Sequence, residues 1–443
     1  MTAKNTTDTL FIGLLLVIFG GIVLHAPLTV GFGVLFPEID VLVKAWKELL
    51  MVPAVLLGLH IIWRQRRFDI LKSPWMVLPA IYVLLHVLLI PLFFSNWTAV
   101  LAGLLIDLRF VVFFMLVFAM IRLYPDLRRL FLKVFLGGAL LVGVFAAAQV
   151  TVLPRDALTV IGYGPNTIQP FLTVDENPDF VRISSTLRGP NPLGAYAVVV
   201  LALVAAYWLR VRRKAERTAV ILSAVAAVGG LVALWFSYSR SALVAAVVAL
   251  GLVLLLTVGR KLHKWVWIGL FVMMFSVGGA LYAARDTDFV SNVILHENEG
   301  TGGTVSSNEG HIESLIDGTE RMVAQPLGAG IGSTGSASLF TGSPLIIENQ
   351  YLFIAHEVGW LGLGLFLVLF GKILWLCWQR RRDWLALAVL ASGIGLALIG
   401  LLLPVWVDDT VSIIWWGLAA IVAGGAYTKT HDRPIYKTTK SLT

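Results

Sequence analysis

The residues of this chain best suited to chemistry are Arg182, Arg188, Arg240, His311, Arg321 and Glu348. Arg240 sits in Phe236-Ser237-Tyr238-Ser239-Arg240-Ser241, a polar hexamer between two apolar runs. A plain turn would be punctuated by Gly, Asn or Pro. A guanidinium, permanently charged and carrying five donors, suits a diphosphate or carboxylate, with a structural bridge as the other reading. Arg182 and Arg188 stand just before Gly189-Pro190-Asn191-Pro192, where they either anchor a span or meet the same anion. Glu348 opens Glu348-Asn349-Gln350-Tyr351, either as a general base or as a carboxylate stabilised by a helix N-terminus. His311 begins a helical pattern with Ile312, Leu315, Ile316, Met322 and Val323 on one face.

Membrane-spanning elements must position these side chains. The chain is 58% hydrophobic and only 14% charged, against roughly 25% charged residues in soluble domains. The composition predicts an all-α polytopic membrane protein, one membrane domain over 1–443. A span needs about 20 apolar residues. About twelve are expected, at 10–34, 41–62, 74–94, 99–121, 130–153, 191–209, 218–237, 241–258, 265–284, 350–376, 384–403 and 411–427. The run from Leu10 reads as a retained first span, not a cleaved signal peptide. Every second gap is rich in Lys and Arg, and with Lys4 these gaps hold about three quarters of the 34 basic residues. The positive-inside rule then makes both termini and the 428–443 tail cytoplasmic, and turns 154–190 and the long loop 285–349 outward. The net charge of +8 therefore reads as topology and not as nucleic-acid binding.

Other polar features carry less. Arg109 and Asp107 lie inside one span, and residues two apart on a helix do not face each other, so each is expected to pair elsewhere, for folding or in a substrate channel. Gly328, Gly330 and Gly332 alternate without a preceding strand, which fits close backbone approach and not a dinucleotide site. His296-Glu297-Asn298-Glu299 with Glu309 lacks metal-ligand spacing and reads as a solvated loop. The lone Cys377 excludes a disulfide framework or a cysteine metal site. Asp408-Asp409 is adjacent and not spaced for a metal, and no metal and no cofactor are expected.

Taken together, these motifs resemble the O-antigen ligase / O-antigen polymerase family. Arg188-Gly189-Pro190-Asn191-Pro192 is similar to the family's segment opening a mid-chain span, and Ser239-Arg240-Ser241 to its Ser-Arg-Ser signature. Gly310-His311-Ile312-Glu313 before Pro326-Leu327-Gly328-Ala329-Gly330 is similar to its Arg-helix-Pro-Leu-x-Gly-x-Gly element. Glu348-Asn349-Gln350-Tyr351-Leu352 with Glu357-Val358-Gly359-Trp360-Leu361-Gly362 is similar to its His-Asn-x-Tyr-Leu and Glu-x-Gly-x-x-Gly element. The resemblance implies a bacterial inner-membrane transferase. It would move a glycan from an undecaprenyl diphosphate carrier to an acceptor hydroxyl, on a lipid-anchored sugar or a growing polysaccharide, at the outer face of the bilayer. Two positions depart from the family: it usually has Arg where His311 stands and His where Glu348 stands. The implied set becomes Arg240, His311 and Glu348, with Arg188, Arg182 or Arg321 adding positive charge for the diphosphate. A transporter or flippase of an anionic or lipid-linked substrate is the rival reading. The halves show no internal repeat to support it.

Overall fold

The protein was analysed as a computed structural model, which describes residues 5–431 apart from 175–176, 213–215, 260–262, 264, 266–271, 273–275, 277, 281, 288–289 and 292–306. The chain runs through α1 (Thr6–Gly21), α2 (His25–Leu35), α3 (Asp40–Lys44), α4 (Trp46–Arg64), α5 (Pro74–Leu89), α6 (Trp97–Leu123) and α7 (Arg128–Thr151). A hairpin of β1 (Leu172–Val174) and β2 (Asn177–Arg182) follows, then α8 (Pro190–Arg210), α9 (Arg217–Phe236) and α10 (Arg240–Val258). The last elements are α11 (Ser307–Ala324), α12 (Gln350–Gln379), α13 (Trp384–Ile399) and α14 (Asp409–His431).

Among the described residues, 8 helices are long and apolar enough to cross a membrane, with α1 and α2 counted as one span, and three shorter apolar helices join them. The expected span at 265–284 lies largely outside the described residues, as does the His296–Glu299 stretch. Side chains turned outward are apolar: α4 presents Val52, Leu56, Leu59 and Trp63, a face suited to lipid. The fold departs from all-α at the antiparallel hairpin, where Leu172 pairs with Arg182 and Thr173 with Val181. Thr173, Val174, Phe180 and Val181 favour extended backbone.

Helix starts follow local chemistry. Ser73 caps α5, Asn96 caps α6, Asn349 caps α12 and Asp383 caps α13, each accepting backbone N–H groups of the first turn. The centre is built where α14 lies along α6. There Phe110, Phe366, Phe370, Trp406, Trp415 and Trp416 form one aromatic cluster, with Phe110 and Trp416 ring centres 4.9 Å apart. Elsewhere small residues let helices approach, as where a Cβ on Gly143 of α7 would lie 2.9 Å from Gly229 Cα on α9.

Polar contacts sort into two ends. At one end Arg64 pairs with Asp8, Arg122 with Asp69 at 2.9 Å and Arg128 with Asp383 at 2.9 Å. At the other, Arg182 meets Ser237, Asn96 meets Phe340 and Gln350 meets Gly400. We call this second end, which carries residues 152–189 and 325–349, the loop end. Chain separations of tens to hundreds of residues close at each end, in keeping with the alternation of basic gaps in the sequence.

Candidate active site

The segment 326–335 is locked to a kink in α12. Val358 and Gly359 leave helical geometry there, Gly359 with φ +66°. Three main-chain bonds cross the junction. Ala329 N–H donates to His356 C=O at 2.5 Å, Gly330 N–H to Glu357 C=O at 3.2 Å, and Trp360 N–H to Pro326 C=O at 2.9 Å. Glu357 adds its side chain: Oε1 accepts from Gly332 N–H at 3.1 Å and Thr334 N–H at 3.3 Å. Gly328 (φ +85°) requires its missing Cβ, since one would lie 2.7 Å from Gly359 N. The alternating glycines thus serve close approach, Gly328 to the α12 kink, Gly330 to Phe93 and Gly332 to Ala99 of α6.

The stretch that follows is fixed residue by residue. Asn349 Oδ1 accepts from Tyr351 N–H at 2.9 Å and Leu352 N–H at 3.0 Å, and its Nδ2 donates to Leu401 C=O at 2.8 Å. Gln350 Oε1 accepts from Trp406 N–H at 2.7 Å, and Tyr351 O–H donates to Ala397 C=O at 2.9 Å. Asn349, Gln350 and Tyr351 therefore bind this segment to residues 397–406. Half-buried Glu348 stands at the mouth, its N–H donating to Ser314 Oγ of α11 at 3.1 Å. His311 lies one turn before Ser314 on the same helix; its side chain lies outside the described residues.

Three chain segments bring arginines to one corner of the loop end. Arg182 Nε donates to Ser237 C=O at 2.8 Å and its NH2 to Asn191 Oδ1 at 2.7 Å. It thereby ties β2 to the turn before α10 and to the start of α8. Arg240 is the first residue of α10, with Ser239 and Ser241 hydroxyls 3.3 Å apart beside it. Gly194 of α8 backs onto this turn, where a Cβ would lie 3.0 Å from Ser237 Oγ. Exposed Arg188 precedes α8 and lies within electrostatic reach of Asp408. Asp408 ends the same 397–408 segment that anchors Asn349 and Gln350. Two non-glycine residues here hold left-handed backbone, Ser185 (φ 50°) and Tyr238 (φ 46°). Such strain gathers at functional sites.

Arg321 stands apart from this corner in its described contacts. It pairs with Asp317 one turn earlier on α11 at 2.8 Å and faces His356.

Below the corner lies a buried charge group that the sequence revealed only in part. Asp409 Oδ1 meets Lys47 Nζ at 2.8 Å and Arg109, and its Oδ2 meets His25 at 3.3 Å. Glu48 faces Lys47 at 3.1 Å and Arg109 at 3.7 Å. Trp46 Nε1–H donates to His25 Nδ1 at 3.0 Å, so a proton on Nε2 points at Asp409. Arg109 is thus an interhelical ion-pair residue. Asp107 turns elsewhere, to Glu357. The signal that could have found Lys47, Glu48, Asp409 and Glu357 is charge inside apolar runs.

Compared with known families, residues 225–367 match the O-antigen ligase family model. The match takes in the Ser237–Ser241 turn, α11, the glycine segment, Glu348 and the α12 kink, and it bears out the resemblance read from the motifs. No curated protein matches the chain.

Proposed function

We propose that this O-antigen ligase-type membrane protein transfers a glycan from an undecaprenyl diphosphate carrier to an acceptor hydroxyl at the loop end, on the outer face of the bacterial inner membrane. The basic residues at the opposite end support that orientation, with both termini cytoplasmic. The observation that carries the reading is the meeting of arginines with helix starts. Arg182 and Arg188 precede α8, Arg240 begins α10, and the 397–408 segment joins Arg188's neighbour Asp408 to the chain that holds Glu348.

In the reaction the acceptor oxygen bonds to the anomeric carbon while the bond from that carbon to the diphosphate oxygen breaks. Negative charge grows on the leaving diphosphate. Arg188 and Arg240, with the positive ends of α8 and α10, stabilise it without a metal. Arg182 holds the two helix starts together. The acceptor proton passes to Glu348, with the His311 imidazole as the alternative base one helical turn from Ser314. Acceptors that fit are a lipid-anchored sugar or a growing polysaccharide.

The test is transfer by the full chain in nanodiscs, with mass spectrometry of the product. Arg240→Ala and Arg188→Ala should each abolish transfer, a loss of about 100-fold or more given the effect of removing one preorganised charge-stabilising donor, while leaving a folded, inserted protein. Glu348→Gln and His311→Ala, compared side by side, identify the base. Full activity in Arg240→Ala would refute the site.

A further inference from the structure

Glu357 and Asp107 are buried carboxyl groups that the transfer reaction does not use. Their side chains lie within hydrogen-bonding reach of each other. Backbone geometry puts them there. Gly103 and Asp107 are one turn apart on α6, and a Cβ on Gly103 would lie 2.6 Å from Gly332 N. The N–H of Gly332 donates to Glu357 Oε1. The other Glu357 oxygen therefore faces Asp107. Glu357 Oε2 and Asp107 Oδ2 are both buried, and each lacks a donor among the described residues.

Among the described residues, no cation is in direct contact with the pair. His86 of α5 faces Asp107, but its Nδ1 lies 2.9 Å from Tyr82 C=O and so carries its proton toward that carbonyl. Tyr82 packs beside both carboxyls. Arg109, two residues along α6, is engaged by Asp409 and Glu48. His356, next to Glu357, faces Arg321 and Asp317 instead. Two ionised carboxylates in contact within apolar surroundings would repel strongly. One proton between them turns that repulsion into a charge-assisted O–H···O bond.

We propose that Asp107 and Glu357 share one proton, and that this bond fastens segment 326–335, and through it the chain leading to Glu348, onto α6. Glu357 then has two tasks. One oxygen holds the segment by two N–H groups, and the other holds α6. Glu357 is a positioning residue. When the shared proton is lost in alkali, the segment disengages and transfer falls with it. Glutamine at 357 reproduces the bonded state without a proton, because its carbonyl accepts the two N–H groups and its amide donates to Asp107. Asparagine at 107 does the same from the other side. Alanine at 357 leaves two buried donors unmatched.

The inference rests on the transferase reading only for the activity measured, so two readouts are independent of it. The full chain in nanodiscs is examined by infrared spectroscopy for a buried protonated carboxyl, by protease cleavage within 325–349, and by transfer across pH. The wild type should show the protonated carboxyl at neutral pH. Glu357→Gln and Asp107→Asn should lack it, resist protease as the wild type does, and keep transferring in alkali where the wild type fails. Glu357→Ala should be cleaved faster and lose transfer about ten-fold or more. Absence of the protonated carboxyl in the wild type overturns the proposal, as does Glu357→Gln behaving like Glu357→Ala. A carboxyl signal that answers to added sodium or divalent metal and not to pH also overturns it, in favour of a bound cation. If the wild type transfers no glycan, the proposed function fails while the spectroscopic and protease results still decide the proton.

Discussion

Asp409→Asn tests the buried charge group most directly. Asp409 is about one-tenth exposed and receives Lys47 at 2.8 Å, His25 at 3.3 Å and Arg109. With Glu48, the group sets two carboxylates against Lys47 and Arg109, and His25 adds a contact to Asp409. Removing one carboxylate leaves an excess positive charge on side chains that are 3% and 5% exposed. Breaking a buried pair from one side costs about 3–5 kcal/mol. Asparagine keeps the volume and one acceptor, so the expected loss lies near the lower figure, about 3 kcal/mol. Unfolding of the purified protein in mixed micelles, followed by tryptophan fluorescence of the Trp406–Trp415–Trp416 cluster, measures it. Adding Lys47→Met to Asp409→Asn restores balance and should recover a large part of the loss. A single variant within about 1 kcal/mol of the wild type, or a double variant weaker than both singles, would refute the claim that charge balance holds spans α1, α4, α6 and α14 together.

Two further perturbations read other parts of the fold. Gly359→Ala forces a side chain onto left-handed backbone (φ +66°), with its Cβ 2.8 Å from Leu327 Cα. The strain of about 1–3 kcal/mol, added to that overlap, should open segment 326–335 and speed protease cleavage there with α8–α10 intact. Asp69, in the turn after α4, is held below the usual carboxylate range by Arg67, against partial burial, with Arg122 adding to the effect. Its folded value is depressed, so its stabilisation is present above the unfolded value and is lost as pH falls through the folded one. With its side chain 47% exposed, the contribution is below about 1 kcal/mol. Asp69→Asn should therefore weaken the protein slightly at neutral pH and match the wild type in acid, as read by unfolding at both pH values.

Much of this architecture was legible because membranes impose simple rules. Apolar length pointed to the long apolar helices that the structure describes, and the basic gaps of the sequence hold the Arg64–Asp8, Arg122–Asp69 and Arg128–Asp383 pairs. Helical periodicity also settled that Asp107 and Arg109 cannot serve each other. It could not say whom they serve, because Asp409 is 300 residues away from Arg109 and Glu357 lies 250 beyond Asp107. Such pairings are decided by tertiary contact. The Glu348-Asn349-Gln350-Tyr351 motif divides in the same way. Its position at a helix start was readable, whereas the use of Asn, Gln and Tyr to bind residues 397–406 was not. The β1–β2 hairpin escaped because its extended residues are few and interrupted by polar ones.

The site's electrostatics follow from helix direction as much as from side chains. A helix that starts at the loop end brings a positive dipole end there. α8 and α10 do so within the arginine corner, and α14 starts beside Arg188's neighbour Asp408. The buried group around Asp409 is balanced, so it adds little net field. In the proposed transfer, exposed Arg188, half-buried Arg240 and the helix starts supply the positive potential that meets the diphosphate. Arg182, whose bonds to Ser237 and Asn191 tie the turn before α10 to the start of α8, sets their spacing. In the proposed reading, charge balanced within the spans leaves the arginines and helix starts above them to meet an anion while the spans beneath stay stable.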